Sequence, residues 1–418
     1  MIGRRTVRLR LGLERDNKRI FWAALFDEGA FGIYVTILPL YIASLGASPG
    51  QIGMVLGLAG LARIAMLTMS SYITDRVPPR QLIALSRGLG IIGLAILGLS
   101  TTWWLSLIGL IVAGTVIVSW PTISSIIAED SRQGRQRMRA FTMIYTIAPS
   151  AALLVAPASG GLIADSFGFQ AVFIAAGALK FTALAIYSDI RERPLPENKG
   201  YQGSLFDVGR NHPVRMVCLF MFATIFVMTV AMILVPNYMQ DVHNVSLSTI
   251  GWFGSISAIG SIALGIGLNR ISFLQKPQIV LMIAVGAVGV SALILLLGNI
   301  YWLFGLAFFL RGGFVVAWSV FYSLLAEVTP TWLRTRVYVV AEILGESGYS
   351  LAPFVAGIMF GVLPAMPLIA GMIAIIPLMV ALLWLGRYIA PSDPEPDEDD
   401  TSPDSESESG RVTSTAPG

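Results

Sequence analysis

Charged side chains interrupt several long apolar stretches of this sequence. Ionisable groups inside a bilayer cost about 3 kcal/mol each and therefore mark ion or substrate pathways. A carboxylate beside an arginine releases its proton readily and binds one more tightly once the arginine moves away, so such a pair can couple proton binding to a conformational change. The groups that we consider for this proton-coupling or substrate-cavity role are Asp27, Glu28, Arg63, Arg311, Glu342 and Glu346.

The depth of the first three groups follows from helical rise. Asp27 and Arg63 each lie about 10 Å from the same membrane surface, so the two side chains can pair. Glu28 points about 100° away from Asp27 on the same helix. We predict that Asp27 or Glu28 carries the coupled proton, with Arg63 and Arg311 as movable partners. Static ion pairs that hold helices together are the alternative.

The second half of the chain carries its own charges. Arg311 lies about 15 Å deep in its stretch, and Glu346 reaches a similar depth in the next stretch. Glu342 lies one helical turn from Glu346 on the same face.

The elements that position these groups are membrane-spanning helices. The chain is 55% hydrophobic and only 13% charged, whereas about a quarter of the residues of a soluble protein carry charge. Its apolar runs match the thickness of a bilayer, in which a helix satisfies its own backbone groups. The predicted fold is an all-α membrane protein with spans at 20–44, 50–72, 81–101, 103–128, 140–164, 168–189, 214–238, 247–269, 278–298, 301–326, 337–361 and 365–387.

The positions of the basic residues predict the topology. Apart from Arg63, Arg87, Lys180 and Arg311, the 28 Lys and Arg residues lie in or beside the N-terminus, the even-numbered loops and the C-terminus. By the positive-inside rule, both termini are expected in the cytoplasm, with the protein in the plasma membrane.

A repeat divides the chain into two similar parts. Trp104-Leu105, Gly114, Trp120 and Ala128-Glu129 return 198 residues later, and Ile52-Gly53 returns as Ile250-Gly251. Such a repeat indicates two pseudo-symmetric six-helix bundles that work at the seam between them. The predicted parts are a basic N-terminus at 1–19, bundles at 20–189 and 214–387, a linker at 190–213 and an acidic, disordered tail at 388–418.

The loop after the second span carries the motif of a known family. It reads Ser71-Tyr-Ile-Thr-Asp75-Arg76-Val-Pro-Pro-Arg80 and resembles the G-x-x-x-D-R-x-G-R-R signature of the major facilitator superfamily, with Ser71 and Pro78 in place of glycines. The resemblance implies that Asp75, Arg76 and Arg80 form a cytoplasmic latch, in which the aspartate faces a helix N-terminus of the other half.

Charges at the ends of the fourth and tenth spans recur in both halves. Glu129 and Glu327 are each followed by arginines, among them Arg139 and Arg336. At the membrane surface these groups are expected to stabilise a state that is closed to the cytoplasm.

The fifth span reads Ala156-Pro157-Ala158-Ser159-Gly160-Gly161. It is similar to the antiporter motif G-P-x-x-G-G of the same superfamily, which implies a rocking role for Pro157, Gly160 and Gly161. Ordinary tight packing is the alternative, and Pro353-x-x-x-Gly357 in the eleventh span favours a symmetric packing role.

The resemblance also implies which helices line the central cavity. These are the first, fourth, seventh and tenth spans, so Asp27, Glu28 and Arg311 are the cavity candidates. Arg87 and Lys180 belong to the third and sixth spans, which are peripheral in the superfamily, and we assign them no role.

These observations predict a secondary transporter rather than an enzyme. The sequence contains no G-x-x-x-x-G-K-[ST] loop for ATP and no Cys/His cluster for a metal, so we expect no cofactor and no nucleic-acid partner. The expected activity is proton-coupled export of small apolar or cationic compounds by a monomer in the lipid bilayer. The alternatives are a symporter or uniporter that imports a sugar or another metabolite, and a non-transporting receptor or scaffold.

Overall fold

A computed structural model describes residues 13–74, 76–131, 135–192, 209–270, 277–329 and 333–388. In the first half the helices are α1 (Arg15–Val35), α2 (Leu38–Ser44), α3 (Pro49–Thr74), α4 (Pro79–Leu99), α5 (Trp103–Gly114), α6 (Trp120–Glu129), α7 (Arg135–Thr142), α8 (Ala148–Phe167) and α9 (Phe169–Ser188). In the second half they are α10 (His212–Met232), α11 (Val235–His243), α12 (Leu247–Arg270), α13 (Pro277–Leu297), α14 (Tyr301–Arg311), α15 (Gly313–Val328), α16 (Arg334–Val362) and α17 (Met366–Tyr388).

These helices agree with the predicted spans. Among the described residues, 11 helical segments can cross a membrane by length and composition, or up to 12 if α1 and α2, which meet at 48°, form one span. Residues 1–12 of the predicted N-terminus, Asp75, most of the linker (193–208) and the tail from 389 onward lie outside the described residues.

The connections between spans define two ends of the molecule. We call the end at which Arg76, Arg137 and Arg191 lie the basic face. The other end, where α2 leads into α3 and α11 leads into α12, is called the opposite face.

The first and seventh predicted spans are interrupted, and their sequences explain where. Pro39 and Pro236 each lie near the start of a short helix, and the preceding helix ends four residues earlier, at Val35 and at Met232. Proline has no N–H for the carbonyl four residues before it and its ring collides with that carbonyl, so the α-helix stops there.

The fourth and tenth spans are interrupted at the repeated glycines. The fourth passes through a 3₁₀ turn, Thr115–Ser119, directly after Gly114. The tenth is interrupted at Gly312, which separates α14 from α15. The 198-residue repeat therefore places equivalent breaks in equivalent spans.

The first seam between the bundles joins α3 to α16, which run antiparallel. A Cβ added to Gly53 would lie 3.1 Å from Cα of Gly357 and would overlap the carbonyl of Pro353. A Cβ at Gly60 would lie 2.7 Å from Cβ of Ser350. The two backbones thus approach at distances that only glycine permits.

The second seam joins α8 to α12 in the same manner. A Cβ added to Gly251 would lie 2.8 Å from Cα of Gly161. The backbone N–H of Ala158 donates to Oγ of Ser255 at 3.2 Å. Gly251 is the repeat equivalent of Gly53, so the two seams are related by the symmetry of the repeat.

Polar contacts close the opposite face. Nδ2 of Asn237 donates across the bundles to the carbonyl of Pro39 at 3.4 Å. Oγ of Ser248 donates to Oδ2 of Asp165 at 2.8 Å. Toward the basic face α3 is less closely packed. All residues from Leu58 to Met69 are described, and none of them is buried.

We predict that Gly251→Val holds the opposite face open, because the new side chain has no room against Gly161. In a Cys218→Ser background, spin labels at positions 165 and 248 should show a short distance in the parent and a longer one in the variant. Gly361→Val is the matched control, since a Cβ at Gly361 meets no atom within 4 Å. An unchanged distance distribution in Gly251→Val contradicts the assignment of this seam as the closing contact.

Candidate functional sites in the membrane

A buried charge cluster links three helices of the first bundle. Asp27 of α1, which is 7% exposed, accepts hydrogen bonds from Nη1 of Arg87 on α4 and from Nζ of Lys180 on α9, the latter at 2.7 Å. Arg87 and Lys180 are 2% and 5% exposed. Away from water, one carboxylate shared by two cations makes strong charge-assisted bonds. The cluster therefore ties α1, α4 and α9 together.

The predicted pair of Asp27 with Arg63 is wrong. Depth along a helix says how far a group lies from the membrane surface, but not which neighbour its side chain faces. Arg87 and Lys180, to which we assigned no role, are the partners of Asp27. The signal for them was two deep cations with no acid nearby in sequence, which favours a carboxylate on another helix as their partner. Asp27 is that carboxylate.

Glu28 lies beside the cluster without joining its hydrogen bonds. It borders a small internal cavity together with Trp120, Tyr145 and Tyr187. Among the described residues no hydrogen bond or ion pair involves its carboxylate, but it interacts electrostatically with the cluster and with Arg63. The cluster and Glu28 together are electrically neutral only when Glu28 is ionised, so proton binding at Glu28 changes the net charge of this site.

One ion pair crosses from one bundle to the other. Nη2 of Arg63 on α3 lies 3.3 Å from Oε1 of Glu346 on α16, at the inner end of the first seam. The aliphatic stem of Arg63 passes Gly114, at the break in the fourth span, where an added Cβ would lie 3.4 Å from its Cγ. This pair exists only while the two helices stay together at this level.

The remaining predicted groups of the second bundle have separate partners. Glu342 accepts a hydrogen bond from the hydroxyl of Tyr322 on α15. Arg311 borders a larger cavity of about 240 Å³ between the two bundles. The expected grouping of Asp27, Glu28 and Arg311 in one cavity is therefore wrong, because Asp27 and Glu28 border a different cavity inside the first bundle.

Apart from Asp75, which lies outside the described residues, the predicted latch and gating residues lie at the basic face. The guanidinium of Arg76 lies 3.4 Å from the ring centre of Tyr72, and Arg80 is exposed near the start of α4. Described residues at this face also include the exposed side chains of Glu129, Arg139 and Glu327 and the partly exposed Arg336. Their gating role stays a prediction.

The antiporter-like segment of α8 contacts two partners. Gly161 meets α12 across the second seam, and a Cβ added to Gly254 of α12 would lie 2.9 Å from Cβ of Pro157. Gly160 meets α1 within the first bundle, where an added Cβ would lie 2.6 Å from the carbonyl carbon of Ile33. The small residues of this segment thus allow α8 to pack closely against both α1 and α12, and their rocking role stays a prediction.

Comparison with known proteins identifies the family. The sequence profile of the Major Facilitator Superfamily matches residues 20–273 and 216–415. The chain belongs to the major facilitator superfamily. Its members are membrane transporters rather than enzymes, and the predicted fold with two six-helix bundles is confirmed.

Curated members of the superfamily include similar bacterial proteins. The multidrug resistance protein MdtG of Salmonella typhimurium (strain LT2) is 25% identical over 286 residues, which cover 65% of this chain and 70% of that protein. The MdtG protein of Salmonella typhi is likewise 25% identical over 286 residues, with the same coverage of both chains.

Solved structures of the superfamily share the fold at lower identity. The nucleoside transporter NupG superposes with a TM-score of 0.74 at 14% identity, covering 90% of this chain and 100% of that chain. The peptide transporter POT in complex with sulfate superposes with a TM-score of 0.73 at 15% identity, covering 91% of this chain and 96% of that one.

We predict that Asp27→Asn destabilises the protein, because Arg87 and Lys180 would lose their shared anion. Breaking a buried ion pair by removing one partner costs about 3–5 kcal/mol. Thermal unfolding in detergent measures the effect, and Glu28→Gln is the matched control on the neighbouring residue. If Asp27→Asn unfolds at the same temperature as Glu28→Gln, the cluster does not stabilise the bundle.

Proposed function

We propose that this transporter exports small, largely apolar compounds across the plasma membrane in exchange for protons, by alternating access. The observation that carries the proposal is the Arg63–Glu346 ion pair, which joins the two bundles at 3.3 Å at the inner end of the first seam. Rocking of the bundles separates these two helices and breaks the pair, so the charge state of Glu346 and the conformation depend on each other.

The orientation and the relatives support export as the direction of transport. By the positive-inside rule, the basic residues at one face support a cytoplasmic position for that face and for both termini. The opposite face, which the glycine seams close in this conformation, then lies outside. The MdtG proteins are named for multidrug resistance, which supports export.

We assign the coupled proton to Glu346, with Arg63 as its movable partner. In this conformation Arg63 pairs with Glu346 and also interacts electrostatically with Glu28. When the seam opens to the outside, Arg63 stays with the first bundle, and Glu346 loses its partner and binds a proton from that side. When the seam closes again, Arg63 pairs with Glu346 and the proton leaves toward the cytoplasm. Asp27 holds the bundle together during this exchange.

The basic-face residues complete the cycle. When the cytoplasmic side closes, Arg76, Arg80 and Arg139 approach the second bundle, where Glu327 and Arg336 lie at the same face.

Cationic cargo was expected because carboxylates in the central cavity would attract it. Because Asp27 is paired inside the first bundle and Glu346 is paired with Arg63, that preference is not part of the proposal.

We predict that Glu346→Gln abolishes substrate-evoked proton movement, because the amide cannot exchange a proton. Purified protein in liposomes with an internal pH dye is challenged with a panel that includes ethidium, Hoechst 33342 and 4-phenylbutyrate. Glu192→Gln, an exposed position outside the spans, is the control and should behave as the parent.

Two results would overturn this proposal. Parent-like proton movement in Glu346→Gln removes Glu346 from coupling. Absence of proton movement in the parent with every compound, while a compound still crosses the membrane, excludes antiport.

A further inference from the structure

Arg311 is a membrane-embedded cation with no ion-pair partner among the described residues. Its Nη2 donates to the carbonyl of Met232 at 3.1 Å, and its guanidinium lies 4.6 Å from the ring centre of Phe308. Its Nε is buried and has no hydrogen-bond partner. No carboxylate among the described residues forms an ion pair with it, in contrast to Arg63 and Arg87.

The cavity beside Arg311 lies between the two bundles. It measures about 240 Å³, and its walls include Val35 of the first bundle and Ile233, Phe314 and Val315 of the second. Thr229 also borders it, is only 2% exposed, and has an Oγ1 without a hydrogen-bond partner. Two polar side chains at one cavity thus each contain a buried atom without a hydrogen-bond partner, which is costly unless water or a ligand bonds it.

The chemistry of the walls specifies the missing ligand. A guanidinium matches a carboxylate or a similar oxyanion, because its planar N–H groups bond two oxygens at once. The apolar walls suit a short hydrocarbon or aromatic body. No Asp or Glu borders this cavity, so it offers no counter-charge to a cation.

We propose that this cavity binds the negatively charged group of a small amphipathic acid, such as a carboxylate, sulfonate or phosphonate, through Arg311 and Thr229. The inference rests on the proposed transport function and specifies the class of compound that it moves. The position of Arg311 also links ligand binding to the backbone of α10. Met232 ends α10 at the break before Pro236, so an acid that draws the guanidinium away releases the carbonyl at a broken span.

The experiment compares three ligands with one apolar body and different charges. Binding of 4-phenylbutyrate, 4-phenylbutanamide and 4-phenylbutylamine to the purified full chain is measured by isothermal titration calorimetry at neutral pH and without a proton gradient. The carboxylate should bind at least tenfold more tightly than the amide, and the amine should bind most weakly.

Variants then assign the preference to Arg311. Arg311→Met should bring the carboxylate to the affinity of the amide, Arg311→Lys should keep the order of the three ligands, and Thr229→Val should weaken carboxylate binding severalfold. Arg215→Met, at an exposed arginine, is the control and should change nothing. If Arg311→Met does not fold, the order of the three ligands in the parent and in Arg311→Lys still decides.

Equal or tighter binding of the amine in the parent overturns the inference, and so does an undiminished carboxylate preference in Arg311→Met. Either result leaves the proposed function in place if other compounds evoke proton movement. Tight carboxylate binding without proton movement by any transported compound overturns antiport instead.

Discussion

The cost of a charge without a counter-charge governs the interior of this protein. A bilayer offers no water to solvate an ion, so each intramembrane charge needs a partner in the protein. Asp27 has two partners within one bundle, and its cluster holds the helices of that bundle together. Arg63 has its partner in the other bundle, and that pair depends on the relative position of the bundles. Arg311 has only a carbonyl and an aromatic ring, which leaves its charge incompletely compensated.

The location of each charge's partner separates charges that stabilise a bundle from those to which we assign a role in transport. An ion pair within one bundle does not change when the two bundles rock as rigid bodies, so its charge state does not depend on their relative position. In the transport cycle that we propose, a pair across the seam is made in one conformation and lost in the other, so proton binding at that pair and the conformation depend on each other. Glu28 lies where both kinds of charge act on it, since it interacts with the cluster and with Arg63.

The backbone supports this arrangement through its breaks and its glycines. Pro39 and Pro236 end the preceding helices at Val35 and Met232, and both breaks border the central cavity. Gly53 and Gly251 bring the bundles together at the opposite face. Close glycine contacts allow two helices to meet with few side chains between them, so the seams can part without repacking large groups.

The amino-acid sequence by itself determined the span count, the two-bundle architecture and the kind of protein. These depend on the length of apolar runs, on a fixed repeat and on a local motif, and each of these is a property of the order of residues along the chain. The residues at the breaks and seams also recur along the sequence, as Pro39 and Pro236 and as Gly53 and Gly251, but their recurrence alone did not predict a break or a seam there. Only the tertiary structure decided the partners of the charges. Asp27 meets Arg87 and Lys180 rather than Arg63 because a side chain's partner depends on the rotation of its helix and on which helices are neighbours, and neither follows from depth.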